Sequence, residues 1–340
     1  MANGNFTEVG RIGQYRYAGI FYEEFLYDLR GRKGVEMYKE MAENDDIIGA
    51  ILFAMEMLIR QVSWDVQPAG DTEADRQAAE FVKSCMNDMT YTWADTLSEI
   101  LSFLTYGWSY HEIVYKRRMG EHKDVSMRSK YSDGLIGWRK LPIRSQDTLW
   151  KWEYVEGTDE LAGMSQMAPP DFTVRTIPIE KALHFVTKGR KSNPEGRSVL
   201  RNAYRNYYFK RRIQEIEGIG LERDLAGLPI LTPPDGTDIF NSSDPDMKEQ
   251  LARAERIVQN VRRDQLEGVV LPFGWEFKLL STGGRRQFDT NQVIERYDSR
   301  MAMTVLADFV LLGHQTVGSF ALSSDKTKLF IVAIGAATAG

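Results

Sequence analysis

A block of short strands and turns interrupts an otherwise helical sequence from about Tyr115 to Thr187. Apolar and polar residues alternate there in DGLIGWRKLPI, TLWKWEYVE and RTIPIEKALHFVT, as they do in half-buried strands. The stretch DELAGMSQMAPPDF lacks this alternation and is predicted to be a loop. Because helical patterns flank a central β-rich block, the sequence predicts the α+β fold class.

Apolar residues at helical spacing predict helices on both sides of the block. Asp71 and Thr92 are expected to cap two of them, since short polar side chains accept hydrogen bonds from the free N–H groups of a helix start. Pro245 is expected at a first helical position, where its missing N–H costs nothing. The predicted helices cover Gly34 to Arg60 (one or two helices), 78–89, 93–104, Asn193 to about Asp224, 245–261, and Asp289 to Leu312.

Strand-like alternation also occurs outside the block. YGWSYHEIVYKRR is predicted to be a strand, and so is VSWDV at residues 62–66, which stops before Pro68. LAGLPILTPPDG is predicted to be a turn followed by a strand, and GVVLPFGWEFKLLST a hairpin around residues 272–274.

Charge and composition exclude several classes of protein. The chain of 340 residues has 43 basic and 48 acidic residues and a net charge of −5, whereas a nucleic-acid coat protein is strongly basic. With Cys85 alone, neither an internal disulfide nor a cysteine zinc site is possible. No apolar run is long enough for a transmembrane helix, and the N-terminus lacks a signal-peptide pattern.

Few residues suggest an enzyme. The four histidines are far apart in sequence, and no common catalytic or nucleotide-binding motif is present. STGGRR, residues 281–286, is a conceivable phosphate-binding loop and leaves a phosphate-binding transferase as one alternative. Asp45 and Asp46 are neighbours that point apart on a helix, so a capping or a surface role is expected there, and Cys85 is expected to be buried. No catalytic residue, metal site or cofactor is predicted.

The stretch SNPEGRSVLRNAYRNYYFKRR, Ser192 to Arg212, combines aromatic and basic residues on a predicted helix. Its basic residues precede acidic ones, which opposes the helix dipole and favours pairing with other elements or other subunits. A solvated face with pairs such as Arg211 with Glu215, and direct DNA contact, are the other two interpretations. The basic candidates for contact with DNA or with another subunit are Arg205, Lys210, Arg211 and Arg212.

GRSVLRNAYRNYYFKRR resembles the Gly-x-Ser-x-Leu-x-x-Ala-Tyr segment of tailed-bacteriophage portal proteins, closest to the Mu-type portal family. Further stretches are similar to that family in the same order: MAENDDIIGAILFAMEMLIRQVSWDVQPA, LTYGWSYHEIVYK, LAGLPILTPPDG, EGVVLPFGWEFKLLS, DTNQVIERYDSRMAMTVLADFVL and GSFALSSDKTKLF. The motif residues are Gly107, Glu112, Gly196, Ser198, Leu200, Tyr204, Pro229 and Pro272.

This resemblance implies a non-enzymatic subunit of a ring, usually of twelve copies, at one vertex of a phage capsid. The ring would let double-stranded DNA pass without sequence recognition and would meet the terminase motor, the head-tail adaptor and the major capsid protein. It would belong to the virion and assemble in the host cytoplasm. A capsid or adaptor protein is the structural alternative.

The resemblance also implies a division of the chain. The expected parts are an N-terminal arm (1–33), an N-terminal wing part (34–115), a β-rich clip-like region (116–188), a stem-like helical region (189–226), a C-terminal wing part (227–330), and a tail that begins a truncated helix (331–340). The candidate loop that narrows the channel is Gly313, His314, Gln315, Thr316, Val317, Gly318 and Ser319.

Overall fold

The structure is a computed structural model that describes residues 10–62, 64–187, 189–226, 228–236, 245–260, 270–271, 273–280, 289–305 and 331–332, with backbone alone at 222–226, 228, 260 and 280. The chain divides into two compact units. The first contains residues 1–207 and 298–340, and the second contains 208–297. Within the described ranges, every helix is too short or too polar to cross a membrane.

The first unit begins with a small hairpin of β1 (Arg16–Tyr17) and β2 (Ile20–Phe21). Helices α1 (Gly31–Asn44), α2 (Asp46–Arg60), α3 (Glu73–Asn87), α4 (Trp93–Ile100) and α5 (Ser102–Tyr106) follow, as the apolar spacing predicts.

Polar side chains set the starts of these helices. Asp45 accepts hydrogen bonds from the N–H groups of Ile47 and Ile48 at the start of α2, which confirms its predicted capping role. Thr92 caps α4 as predicted. The cap of α3 is Thr72 rather than Asp71, because Thr72 and Asp75 exchange hydrogen bonds in a reciprocal capping box.

The central block contains antiparallel strands, which confirms the α+β fold class. The pairs are β3 (Trp108–Glu112) with β9 (Ala182–Val186), and β4 (Val114–Arg117) with β5 (Ile136–Lys140). A three-stranded sheet has the order β6 (Leu149–Tyr154), β7 (Leu161–Met167), β8 (Val174–Pro178).

Two predictions of local structure were wrong. The predicted loop contains β7, which pairs with β6 on one side and with β8 on the other. Its buried residues Gly163 and Ser165 are small, so the apolar alternation that indicates a strand is missing there. The predicted strand at 62–66 is absent, since residues 64–68 have no regular secondary structure and pair with no strand in the described part of the chain.

The second unit contains most of α6 (Tyr204–Ala226), then β10 (Leu228–Thr232), α7 (Pro245–Asn260), β11 (Glu276–Leu280) and the start of α8 (Thr290–Thr304). Pro245 is the first residue of α7, as predicted. Strand β11 pairs with β10 in antiparallel register. Helix α6 begins later than predicted, because Gly196 has a positive φ and a short 3-10 helix at Val199–Asn202 precedes it.

Among the described residues, the core of the first unit consists of three clusters. One packs α2 against α4 and α5, and a second packs α1 against Leu200, Tyr204 and Tyr207. The third lies under the sheets, where the rings of Trp108 and Trp152 meet edge-on with centroids 4.9 Å apart. Large rings therefore hold the β-rich block together around buried aromatic contacts.

Candidate functional site

The two motif glycines, Gly107 and Gly196, meet backbone to backbone. Gly107 ends α5 in the left-handed region with φ +96°, and a Cβ atom there would lie 2.4 Å from the carbonyl oxygen of Glu195. Gly196 has φ +54°, and its Cβ would lie 2.4 Å from the carbonyl oxygen of Gly107. Only glycine allows both the backbone conformation and the close approach.

Thr187, just after β9, hydrogen-bonds Gly107 and Arg197, the residue that follows Gly196. Its N–H donates to the carbonyl oxygen of Gly107 at 2.8 Å. Its hydroxyl oxygen accepts from the N–H of Arg197 at 2.8 Å and lies 2.7 Å from the carbonyl oxygen of Arg197. No sequence pattern points to Thr187, because a threonine at a strand end carries no signal of such a contact.

Ser198 connects the same loop to α5 and to the helix that follows. Its hydroxyl donates to the carbonyl oxygen of Thr105 at 2.5 Å and accepts from the N–H of Leu200 at 3.0 Å. Ser198 and Leu200 are both buried. We call Gly107, Thr187, Gly196 and Ser198 the motif junction; it joins α5, β9 and the approach to α6.

Two residues beyond the junction bind the N-terminal arm. The Tyr204 hydroxyl donates to the Asp28 carboxylate at 3.0 Å. Arg201 forms a bidentate pair with Glu24 at 2.9 and 2.6 Å. Burial alone would raise the pKa of Glu24, but hydrogen bonds from Arg201 and from the N–H of Leu26 hold that pKa below its usual value. The carboxylate is therefore ionised and fixed.

The arm also crosses the loop that precedes the junction. The Gln14 side-chain amide donates to the carbonyl oxygens of Lys191 and Ser192 at 2.5 and 3.1 Å. Lys191 in turn forms an ion pair with Glu23 at 3.2 Å. The arm thus contacts both ends of residues 191–204, which we call the motif loop.

Its hairpin lies against β6. The N–H of Trp152 donates to the carbonyl oxygen of Gly19 at 3.0 Å. Arg16 forms an ion pair with Asp159 at 3.0 Å and covers the Tyr154 ring at 3.4 Å. Phe21 is buried in the cluster around Trp152. The arm therefore links the β-rich block to the motif loop within one chain.

The motif residue Glu112 is an ion-pair centre at the end of β3. Its carboxylate contacts Arg144 and lies 2.9 Å from the Lys181 ammonium. Burial alone would raise its pKa, but these two cations hold the pKa below the usual value. Glu112 therefore holds together the segments that follow β5 and precede β9.

A half-buried carboxyl lies beside the junction. The Trp152 indole N–H donates to Glu195 at 3.2 Å, and burial raises the pKa of Glu195 to about 7. His184 Nε2 lies 2.9 Å from the carbonyl oxygen of Pro194, and burial lowers the pKa of His184 to about 4. Glu195, Arg197 and Arg201 line a cleft of about 290 Å³ between the arm and the motif loop. At neutral pH the histidine is uncharged and Glu195 is near its titration point.

The basic candidates on α6 differ in exposure. Lys210 is buried, with 3% of its surface exposed, whereas Arg205 is exposed. Arg211 and Arg212 are exposed and pair with Glu215 at 3.2 and 3.3 Å, so the intrahelical pair Arg211–Glu215 is present. Further along the same helix, Ile216 and Ile219 are exposed.

The remaining candidates lie elsewhere. Pro229 is in β10, opposite Leu279. Pro272, the channel-loop candidates 313–319 and the phosphate-loop candidate 281–286 fall outside the described residues. Cys85 is buried as predicted, and no cluster of three histidine, cysteine or carboxylate side chains suited to a metal occurs among the described residues.

Solved structures share this fold. The neck of an empty gene transfer agent (GTA) particle, computed with C6 symmetry, matches with a TM-score of 0.52 at 13% identity, over 89% of this chain and 79% of that chain. The virion of a native GTA particle matches with a TM-score of 0.52 at 12% identity, over 89% and 78%. An HK97-family phage portal protein from Corynebacterium diphtheriae matches with a TM-score of 0.44 at 12% identity, over 88% of each chain.

At these identities the two GTA matches show the fold alone. The family model described as the portal protein of Mu bacteriophage matches residues 35–330. The chain belongs to this family and is a portal vertex subunit.

Proposed function

We propose that copies of this protein form a ring-shaped DNA conduit at one vertex of a phage capsid, through which the genome is packaged and ejected. The observation that carries the proposal is the family match over residues 35–330. The likeness to a neck structure computed with C6 symmetry supports a ring of identical subunits. Twelve copies is the number we expect.

The proposed division of the ring subunit follows the sequence. Residues 34–115 and 227–330 form the wing, 116–188 the clip-like region and 189–226 the stem-like region, while 1–33 is the arm and 331–340 starts a further helix. The clip-like region would meet the terminase motor and then the head-tail adaptor, and the wing would meet the major capsid protein. The ring would assemble in the host cytoplasm and remain in the virion.

DNA would pass through this ring without being held. A net charge of −5 suits a conduit, because a lining that neutralised many phosphates would retain the duplex. Arg205, Arg211 and Arg212 would then connect neighbouring copies rather than bind phosphate. Residues 313–319 remain the proposed loop that narrows the channel.

Native mass spectrometry and negative-stain microscopy of the purified chain test the ring. We expect closed assemblies of about twelve copies. Monomers under every assembly condition would rule the conduit out.

Charge reversal separates the two roles of the arginines on α6. Arg211→Glu with Arg212→Glu should reduce the ring fraction while leaving the DNA affinity of any remaining rings unchanged. Arg253→Glu is the matched control, since Arg253 forms a similar exposed pair with Glu249 on α7. Intact rings with weakened DNA binding would contradict the preference for contacts between subunits.

A further inference from the structure

Residues 64–68, which we call the tryptophan segment, have a strand-like sequence but no strand partner in the described part of the chain. Trp64 is 45% exposed, and Val62 just before it is 58% exposed. An exposed stretch of alternating apolar residues invites pairing with another chain, and folded proteins rarely leave one uncovered.

The tryptophan segment lies between α2 and α3. Asp65 lies on the opposite phase of the alternation from Trp64 and Val66, and its carboxylate is 2.6 Å from the Lys83 ammonium on α3. The segment ends a few residues before the capping box of Thr72 and Asp75 at the start of α3. Trp64 is thus presented from a short connection between two helices.

The same unit also carries an exposed sheet edge. In the order β6-β7-β8, strand β8 has β7 as its only neighbour among the described strands. Val174 is 47% exposed, and Arg175 and Thr176 are also exposed. An edge of this kind accepts an added strand through main-chain hydrogen bonds, while alternate side chains supply further contacts.

Charge is complementary between the two surfaces. Asp65 lies in the tryptophan segment and is followed by Asp71 and Glu73, while β8 carries Arg175. Within the single chain, Asp65 pairs with Lys83 and Arg175 pairs with Asp171, and all four side chains are largely exposed. Exposed ion pairs contribute little free energy, so an exchange of partners costs little.

We propose that the tryptophan segment pairs, as an added strand, with the β8 edge of a second copy of this chain. This inference rests on the proposed ring, because the two surfaces differ and the contact is therefore heterologous, as cyclic assemblies require. The pairing covers Trp64 and supplies the strand that the sequence pattern indicates but the single chain lacks.

Hydrogen exchange of the backbone amides of residues 64–67 tests the contact directly. Alternate amides among these residues should exchange rapidly in the dilute monomer and at least about tenfold more slowly in the assembled ring, because every second N–H of an added strand becomes hydrogen-bonded to its partner strand. Slow exchange in the monomer would show that another part of the same chain covers the segment. Fast exchange in intact rings would overturn this inference and leave the ring untouched, whereas the absence of any assembly would overturn both.

Complementation of variants gives a second test. Trp64→Lys damages the segment and Val174→Lys damages the receiving edge, since lysines on an edge block strand addition. Each variant alone should remain monomeric in native mass spectrometry, and their mixture should form one-to-one dimers, because each supplies the surface that the other lacks. Trp150→Lys is the matched control, for Trp150 is 50% exposed on β6, and that variant should still form rings.

Rings formed by either damaged variant would contradict the proposal. A mixture that stays monomeric would also contradict it, provided that circular dichroism shows both variants to be folded. A dimer that forms only in the mixture is the result that supports the contact.

Discussion

The carbonyl oxygen of Gly107 lies 2.4 Å from the position that a Cβ atom on Gly196 would take. Two motif residues that are far apart in sequence therefore form one contact, which requires glycine at 196, while the backbone of Glu195, Arg197 and Ser198 requires glycine at 107. The portal-family motif is thus a packing motif that joins α5 to the approach of α6.

Gly107→Ala should destabilise the protein by roughly 3 kcal/mol or more, because backbone strain and overpacking each cost about 1–3 kcal/mol. Gly134→Ala is the matched control, since Gly134 also has a positive φ but no atom within 4 Å of its Cβ position. It should lose only about 1 kcal/mol. Urea denaturation measures both losses, and equal values would show that the close approach at the junction is unimportant.

A double-mutant cycle on Arg201 and Glu24 should give a coupling free energy of about 1–2 kcal/mol, because the pair is bidentate and its side chains are only 23% and 25% exposed. The exposed pair Arg32–Glu36, at 72% and 61%, should give below about 0.5 kcal/mol. Denaturation midpoints of the single and double alanine variants supply both numbers. Equal coupling in the two cycles would mean that the arm is not anchored through Arg201.

The pH dependence of stability should carry a signature of Glu195. Because its folded pKa is raised to about 7, above the ordinary value of 4.5, the folded state holds a proton that the unfolded state releases between these values. The free energy of unfolding should therefore decrease as pH rises from about 4.5 to 7, because the stability that the Glu195 proton contributes is lost. Glu195→Gln should lack this decline, so that its stability relative to the original chain increases across the window.

Thermal or urea unfolding at a series of pH values measures the difference. Glu156→Gln, at an exposed carboxyl of the same block, is the control and should run parallel to the original chain. Parallel curves for Glu195→Gln would contradict the raised pKa.

Lys116→Met should cost about 3–5 kcal/mol, because it leaves Asp88 as an unpaired buried charge. The two side chains are each 2% exposed and 3.2 Å apart, and they join α3 to β4. Burial alone would raise the pKa of Asp88, but hydrogen bonds from Lys130, Ser129 and Lys116 hold it below the usual value. Replacing both residues with apolar ones should recover much of the stability, and a failure to recover it would point to the other hydrogen bonds of Asp88.

Much of the fold follows from periodicity. Helices α1 to α4 and the strands around β6 have apolar residues at the spacing of their secondary structure, so local sequence was sufficient there. Strand β7 was missed because its buried residues Gly163, Met164 and Ser165 are consecutive and only Met164 is large and apolar, so the strand has no alternation to detect.

The site was predictable only in part. The resemblance to the portal family singled out Gly107, Gly196 and Ser198, but not that they meet or that Thr187 hydrogen-bonds Gly107. Contacts between residues distant in sequence leave no periodic trace in a single sequence, and the bond from Ser198 to Thr105 is of this kind. The start of α6 was predicted too early for the same reason, since Gly196 bends the backbone to meet Gly107.

The pairing of Glu24 with Arg201 spans 177 residues, and this separation has a consequence during synthesis. At about 5–20 residues per second, a ribosome needs roughly ten to forty seconds to make the arginine after the glutamate. During that interval the apolar side chains of the arm that are buried in the folded chain, Phe21 and Leu29, lack their later neighbours. The nascent chain is therefore most exposed to chaperones at its first thirty or so residues, long before the last helix is translated.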